Sequence, residues 1–281
     1  MLAIIGGTGL YELPGMAVEE AIAEDTPFGT PSGHVLRGRI GGQTLLFLAR
    51  HGAGHKLLPH EVNYRANVFA LKRAGATMLL GFSAVGSLDE RVAPGHLAMP
   101  SQYLDLTKGR RAHTFFGEGV AAHVSTACPA SPAMADWVQG AAAGLGLTVH
   151  RELTYACVEG PRLGTRAESF FMRAAGCQLV GMTNVPEVFL AREAQLGYAT
   201  IGLVTDYDCW MEDPRHHVSV ATVFERYAQT LGQAQALLAG LLTQPLPEVE
   251  PSTRHALATA LITQPHSLSA SQRAWLAVLQ R

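Results

Sequence analysis

The stretch LVTDYDCW, Leu203 to Trp210, ends an apolar run on two aspartates one residue apart. Two carboxylates that share a poorly solvated region cannot easily both ionise, so one is expected to hold a proton. The pair then offers a donor beside an acceptor. Residues two apart on an extended chain share a face, so Asp206 and Asp208 are expected to point the same way. In isolation, a D-x-D is more often two solvated loop aspartates.

Other short motifs also follow apolar runs. IIGGTGLYE places Gly6, Gly7, Thr8 and Gly9 where backbone N–H groups and a hydroxyl can meet an anion. It is not a dinucleotide fingerprint, because Glu12 stands where the third glycine belongs. Alone, it fits a tight structural turn equally well. LARHGAGH supplies Arg50, whose planar fork matches phosphate, with His51 as a neighbouring donor. GFSAVGSL supplies Ser83, Gly86 and Ser87 at another exit, and alone it reads as a simple turn. VEGPRLGTRAES sets Glu159, Arg162, Arg166 and Glu168 around a Gly-Pro turn, and GMTNVPE carries Met182, Thr183 and Glu187. A methionine there is most often core filler. The motifs matter as a set, since ligands of open α/β sheets sit beyond the carboxyl ends of strands.

The elements that must position these residues are legible as apolar runs at 2–5, 44–49, 77–83, 154–158, 178–183 and 199–205. Most lack polar alternation, the pattern of strands covered on both faces. Helical spacing fills 61–75, 165–176 and 186–197, each ending on a glycine, and Pro186 suits a first helical turn. A longer helix follows, with Val220, Val223, Phe224, Tyr227 and Leu231 on one face. The fold class expected is α/β: a single domain with a central mixed, mainly parallel sheet flanked by helices. Residues 1–243 form that domain. Residues 244–281 are expected to be a proline-containing crossover and a C-terminal helix capped by Ser269, packed on the same domain or on a neighbouring subunit.

Composition excludes several classes. Of 281 residues, 48% are hydrophobic and 16% charged, with a net charge of -2. The only basic cluster is KGRR at 108–111, too small for a nucleic-acid footprint. No apolar run is long enough to span a membrane. Cys128, Cys157, Cys177 and Cys209 form no C-x-x-C pair and are expected to be buried free thiols rather than zinc ligands. Free thiols and the lack of an export signal in MLAIIGGTGLYE point to the cytoplasm.

Taken in order and spacing, IIGGTGL, ARHG, VNYRAN, EGPR with RAES, MTNVPE and TDYDCW closely resemble the trimeric purine nucleoside phosphorylase superfamily, nearest its methylthioadenosine phosphorylase branch. The resemblance covers residues 1 to about 240. It implies attack of inorganic phosphate, a co-substrate, on C1′ of 5′-methylthioadenosine, with no metal or organic cofactor. It implies a phosphate shell of Thr8, Arg50, His51, Ser83, the Ala84 backbone and Thr183, and a ribose contact at Met182. Val220, Val223 and Phe224 are implied to form the methylthio pocket. His123 is implied to reach the sugar of a neighbouring subunit, hence a homotrimer. Asp206, Asp208 and His51 are the implied catalytic groups, Asp206 facing purine N7 and Asp208 the 6-amino side. The oxopurine branch carries asparagine at the position of Asp206, so a 6-aminopurine is expected.

One departure stands out. The aminopurine branch has phenylalanine and serine where this chain has Leu163 and Gly164, which keeps a methylthioinosine or 6-oxopurine phosphorylase as the alternative. A non-catalytic purine-binding protein is the alternative of another class; it would have no use for a phosphate shell. A nicotinamide oxidoreductase is disfavoured by the missing third glycine.

Overall fold

The computed structural model describes residues 1–7, 10–211 and 220–281; the side chains of 220–226, 228 and 229 also lie outside the description. Among the described residues, nine strands are β1 (Leu2–Gly6), β2 (Ala17–Ile22), β3 (Val35–Ile40), β4 (Gln43–Ala49), β5 (Met78–Ser87), β6 (Leu97–Leu106), β7 (Val149–Val158), β8 (Leu179–Gly181) and β9 (Gly197–Asp206). The helices are α1 (Tyr64–Arg73), α2 (Pro132–Gly144), α3 (Arg166–Ala174), α4 (Asn184–Glu193), α5 (Val220–Leu241), the short α6 (Pro251–Arg254) and α7 (Ala270–Leu279).

The strands form one mixed sheet in the order β2-β3-β4-β1-β5-β8-β7-β6-β9. β9 also runs parallel to β5, from Met78 opposite Gly197 to Gly86 opposite Asp206. β5, β8, β7, β6 and β9 therefore close into a five-strand ring, and β1 to β4 extend from it as an open wing. Strand alternation feeds two cores. Ala3, Ile5, Leu46, Leu48 and Leu79 pack on one side with α1, α4 and α7, while Leu2, Ile4, Phe47, Leu80 and Phe82 pack on the other with α2 and α5. This two-sided cover explains the unbroken apolar runs.

Helix ends follow local chemistry. Asn63 caps α1 by accepting from the Ala66 N–H at 3.1 Å. Thr165 with Glu168, and Ser269 with Gln272, form reciprocal capping boxes. Gly75 and Gly176 take the left-handed conformation after α1 and α3, as expected. After α4 that role falls to Gln195, not Gly197. Gly197 is needed for packing instead, since a Cβ there would lie 2.7 Å from Val249 Cγ2.

The expected buried thiols hold for Cys157 and Cys177 only: Cys128 is exposed and Cys209 half-buried. Among the described residues, no helix is long and apolar enough to cross a membrane. β1, β4, β5 and β9 are mutually parallel, so their carboxyl ends deliver Gly7, Arg50, Ala84 and Asp206 to one edge of the sheet.

Candidate active site

That edge opens on a cavity of about 300 Å³. Its lining brings together Arg50, His51, Ser83, Ala84 and Thr183 with Leu163, Gly164, Met182, Asp206 and Asp208. Sequence-distant motifs thus meet in one place. Thr8 lies outside the described residues, as do the side chains of Val220, Val223 and Phe224. His123 is exposed and does not line the cavity.

Arg50 is fully buried. Its Nε and Nη2 donate to the two Glu187 carboxylate oxygens at 2.7 and 2.8 Å, and Nη1 donates to the Phe82 carbonyl at 2.8 Å. The fork expected to face phosphate is therefore spent on Glu187, and only the remaining Nη N–H groups are left for a ligand. Burial opposes the arginine charge, but Glu187 outweighs it and raises the pKa above the ordinary value. Glu187 also accepts from Tyr198 Oη at 3.0 Å, which in turn accepts from Thr200 Oγ1 at 2.8 Å. Gly81 makes room for the pair: a Cβ there would lie 3.2 Å from both Arg50 Nη2 and Glu187 Oε1.

His51 differs from expectation. Burial first, and the Arg50 charge second, push its pKa down to about 4. Its Nδ1 lies 2.8 Å from the Leu57 carbonyl, so in the neutral ring Nδ1 carries the proton and Nε2 is an acceptor. A dianion placed beside Nε2 would favour the imidazolium and make that nitrogen a donor. His55 stacks on His51 at 4.2 Å between ring centroids and lines the same cavity. Ser83 Oγ donates to Asn184 Oδ1 at 3.0 Å and meets Thr183 Oγ1 at 3.2 Å. Both hydroxyl residues are buried.

The aspartates reach the cavity by a route that strand alternation does not describe. β9 ends at Asp206; Tyr207 turns, and Asp208 takes φ +50° at the start of a 3-10 turn. Asp206 Oδ1 accepts from the Asp208 N–H at 2.7 Å and Oδ2 from Thr205 Oγ1 at 2.6 Å. Trp210 pins the turn by donating to the Ser87 carbonyl at 2.8 Å, with the Arg173 guanidinium 3.6 Å from its ring centroid. Gly86 is small because the pair sits over it: a Cβ would lie 3.1 Å from Asp206 Oδ1.

Gly160 takes φ +69°, and a Cβ there would come within 2.5 Å of Sδ of Met182, which lines the cavity. Arg111, from the basic cluster KGRR, is buried. It donates to Glu159 Oε1 at 2.8 Å, to the Glu159 carbonyl at 2.9 Å, and to the Met182 and Val185 carbonyls at 2.7 Å each. It thereby ties the loop bearing Leu163 and Gly164 to the segment bearing Met182 and Thr183. Sequence reasoning gave Glu187, Arg111 and His55 no role. The one signal for Glu187 is that it is the single charge in the otherwise apolar stretch VPEVFLA, 185–191.

Among the described residues, no group of three or more His, Cys, Asp or Glu side chains is arranged to hold a metal ion.

The phosphorylase superfamily model matches residues 1–242. The S-methyl-5′-thioadenosine phosphorylase of Geobacter sulfurreducens is 42% identical over 97% of this chain and 95% of its own. That of Hyperthermus butylicus is 47% identical over 88% and 89%. Among solved structures, a methylthioadenosine phosphorylase from an antarctic soil metagenomic library superposes with a TM-score of 0.90 at 40% identity, covering 99% of this chain and 98% of that one. The Schistosoma mansoni methylthioadenosine phosphorylase in complex with adenine gives 0.82 at 36% identity, covering 86% and 90%. The chain belongs to the phosphorylase superfamily and, within it, to the methylthioadenosine phosphorylases.

Proposed function

We propose that the protein catalyses phosphorolysis of 5′-methylthioadenosine to adenine and 5-methylthioribose 1-phosphate. The observation that carries this reading is one cavity lined by a cation, by hydroxyls and by a pair of carboxylates. Cleavage of the glycosidic bond develops positive charge on the sugar and negative charge on the leaving purine. Phosphate held by Arg50, His51, Ser83, Thr183, the Ala84 backbone and Thr8 attacks C1′ from below. Asp206 donates a proton or hydrogen bond to N7 as the base leaves, and Asp208 accepts from the 6-amino group. Met182 packs under the ribose, Leu163 and Gly164 wall the base, and Val220, Val223 and Phe224 surround the methylthio group. The chemistry calls for no metal or organic cofactor.

The assembly is a cytoplasmic homotrimer in which His123 enters a neighbour's site; its exposure outside the cavity is compatible with that role. Residues 1–243 are the phosphorylase domain and 244–281 an extension, a division supported by the family match ending at 242.

A second reading, methylthioinosine, is favoured by Gly164, where a Cβ would meet nothing closer than Glu168 Oε2 at 3.9 Å. A serine would fit, so its hydroxyl is absent rather than excluded. Initial rates with methylthioadenosine, methylthioinosine, adenosine and inosine test the assignment. Methylthioadenosine has the highest kcat/KM if the carboxylate pair reads adenine; a preference for methylthioinosine refutes that part.

A further inference from the structure

The C-terminal extension matches no motif, yet it is bonded to one particular segment of the domain. The Ala122 and Leu261 positions form an antiparallel bridge. The His123 N–H donates to the Ala260 carbonyl at 2.9 Å and the Ile262 N–H to the Ala121 carbonyl at 2.8 Å. The Ala121 N–H donates to Thr263 Oγ1 at 2.7 Å, and Gln272 Nε2 of α7 reaches the Glu118 carbonyl at 3.0 Å. The buried Arg192 bonds both segments, donating to the Ser125 carbonyl and to Oγ1 of Thr253 in α6 of the extension.

This short ribbon has a consequence for side-chain direction. Alternation on an extended chain sends successive residues to opposite faces. Ala122, Val124 and Leu261 pack on the core, while Ala121, His123 and Ile262 are exposed. Trp275 of α7 anchors the extension beneath, its ring edge-on to Phe28 at 5.5 Å between centroids. Apart from the ribbon, the segment 118–125 is fixed by its own turn at Gly117–Val120, by the Arg192 contact and by Val120, Ala122 and Val124 in the core.

We propose that the extension is a positioning element for His123, holding its backbone in the register that turns the imidazole outward toward a neighbouring subunit's sugar. This rests on the reading of His123 given above. The ribbon supplies the main-chain partners at residues 121 and 123, and α7 fixes the turn at Glu118.

The test is a double-mutant cycle on the full chain, with base release from methylthioadenosine as the readout. His123→Ala is expected to raise KM about tenfold, the size of one lost hydrogen bond to substrate. Ile262→Pro deletes the N–H that pairs with Ala121 at a position already 55% exposed, and is expected to raise KM to a similar degree. Thr263→Val, which removes the acceptor for the Ala121 N–H, is the milder second variant should the proline impair folding. In the His123→Ala background either ribbon variant is expected to add less than twofold, because the residue it positions is gone. Multiplicative effects overturn the proposal and leave the extension a general stabiliser. A silent His123→Ala overturns the reading of His123 itself, and the proposal with it, while parent activity keeps phosphorolysis intact.

Discussion

Glu187→Gln isolates the buried charge pair that Arg50 forms at the cavity wall. The Arg50 and Glu187 side chains are 0% and 1% exposed. Gln keeps one oxygen for Tyr198 but sets an amide N–H₂ against an Arg50 N–H and leaves the guanidinium charge unbalanced. Breaking a buried pair from one side costs about 3–5 kcal/mol. A chain of 281 residues has an unfolding entropy of about 0.6 kcal/mol/K, so Tm falls by about 5–8 °C. Phosphate reverses part of this, since a dianion beside Arg50 supplies the missing countercharge. Thermal unfolding followed by circular dichroism, with and without phosphate, measures both effects. The variant is expected to gain more from phosphate than the parent does. A Tm within 1 °C of the parent, or an equal phosphate shift in both proteins, would refute the account of Glu187 as the charge that holds Arg50.

Three further outcomes follow from the same geometry. His51 binds its proton near pH 4 when folded but near 6.5 when unfolded. Its contribution is therefore complete above pH 6.5 and lost as pH falls toward 4, about 3 kcal/mol in all; His51→Gln is expected to flatten that acid limb in Tm-versus-pH curves. Gly160→Ala meets both a positive φ and Met182 Sδ, costing on the order of 1–3 kcal/mol; it is expected to lower Tm and raise KM for the nucleoside, and unchanged values of both would contradict the packing described. Asp208→Asn replaces the acceptor that faces the 6-amino group with a group that can donate to a 6-oxo oxygen, and is expected to move the methylthioadenosine to methylthioinosine ratio of kcat/KM roughly 10–100-fold toward the oxopurine.

The inner strands were legible because a strand covered on both faces needs no polar alternation. β2 was not, because AVEEAI is almost wholly exposed and looks like loop. β6 was hidden by Pro100, which the sheet accommodates by shifting register on both sides of it. α2 is alanine- and glycine-rich and shows little periodicity, so only the Ser131 cap marks it. At the site, residue types at strand exits predicted which side chains meet. They did not predict partners: Glu187 lies 137 residues from Arg50, and Arg111 reads as surface charge until four acceptors converge on it. Asp206 and Asp208 were expected to meet through strand alternation. They meet through a left-handed turn that only the tertiary contacts of Trp210 explain.

The central claim is that phosphate, held beside Arg50, is the nucleophile at C1′. Its most direct test is adenine release from methylthioadenosine with and without inorganic phosphate, with the sugar product identified by mass. The account predicts release that depends on phosphate and one equivalent of 5-methylthioribose 1-phosphate per adenine. Release at an undiminished rate without phosphate, with free 5-methylthioribose as product, would make water the nucleophile and contradict it.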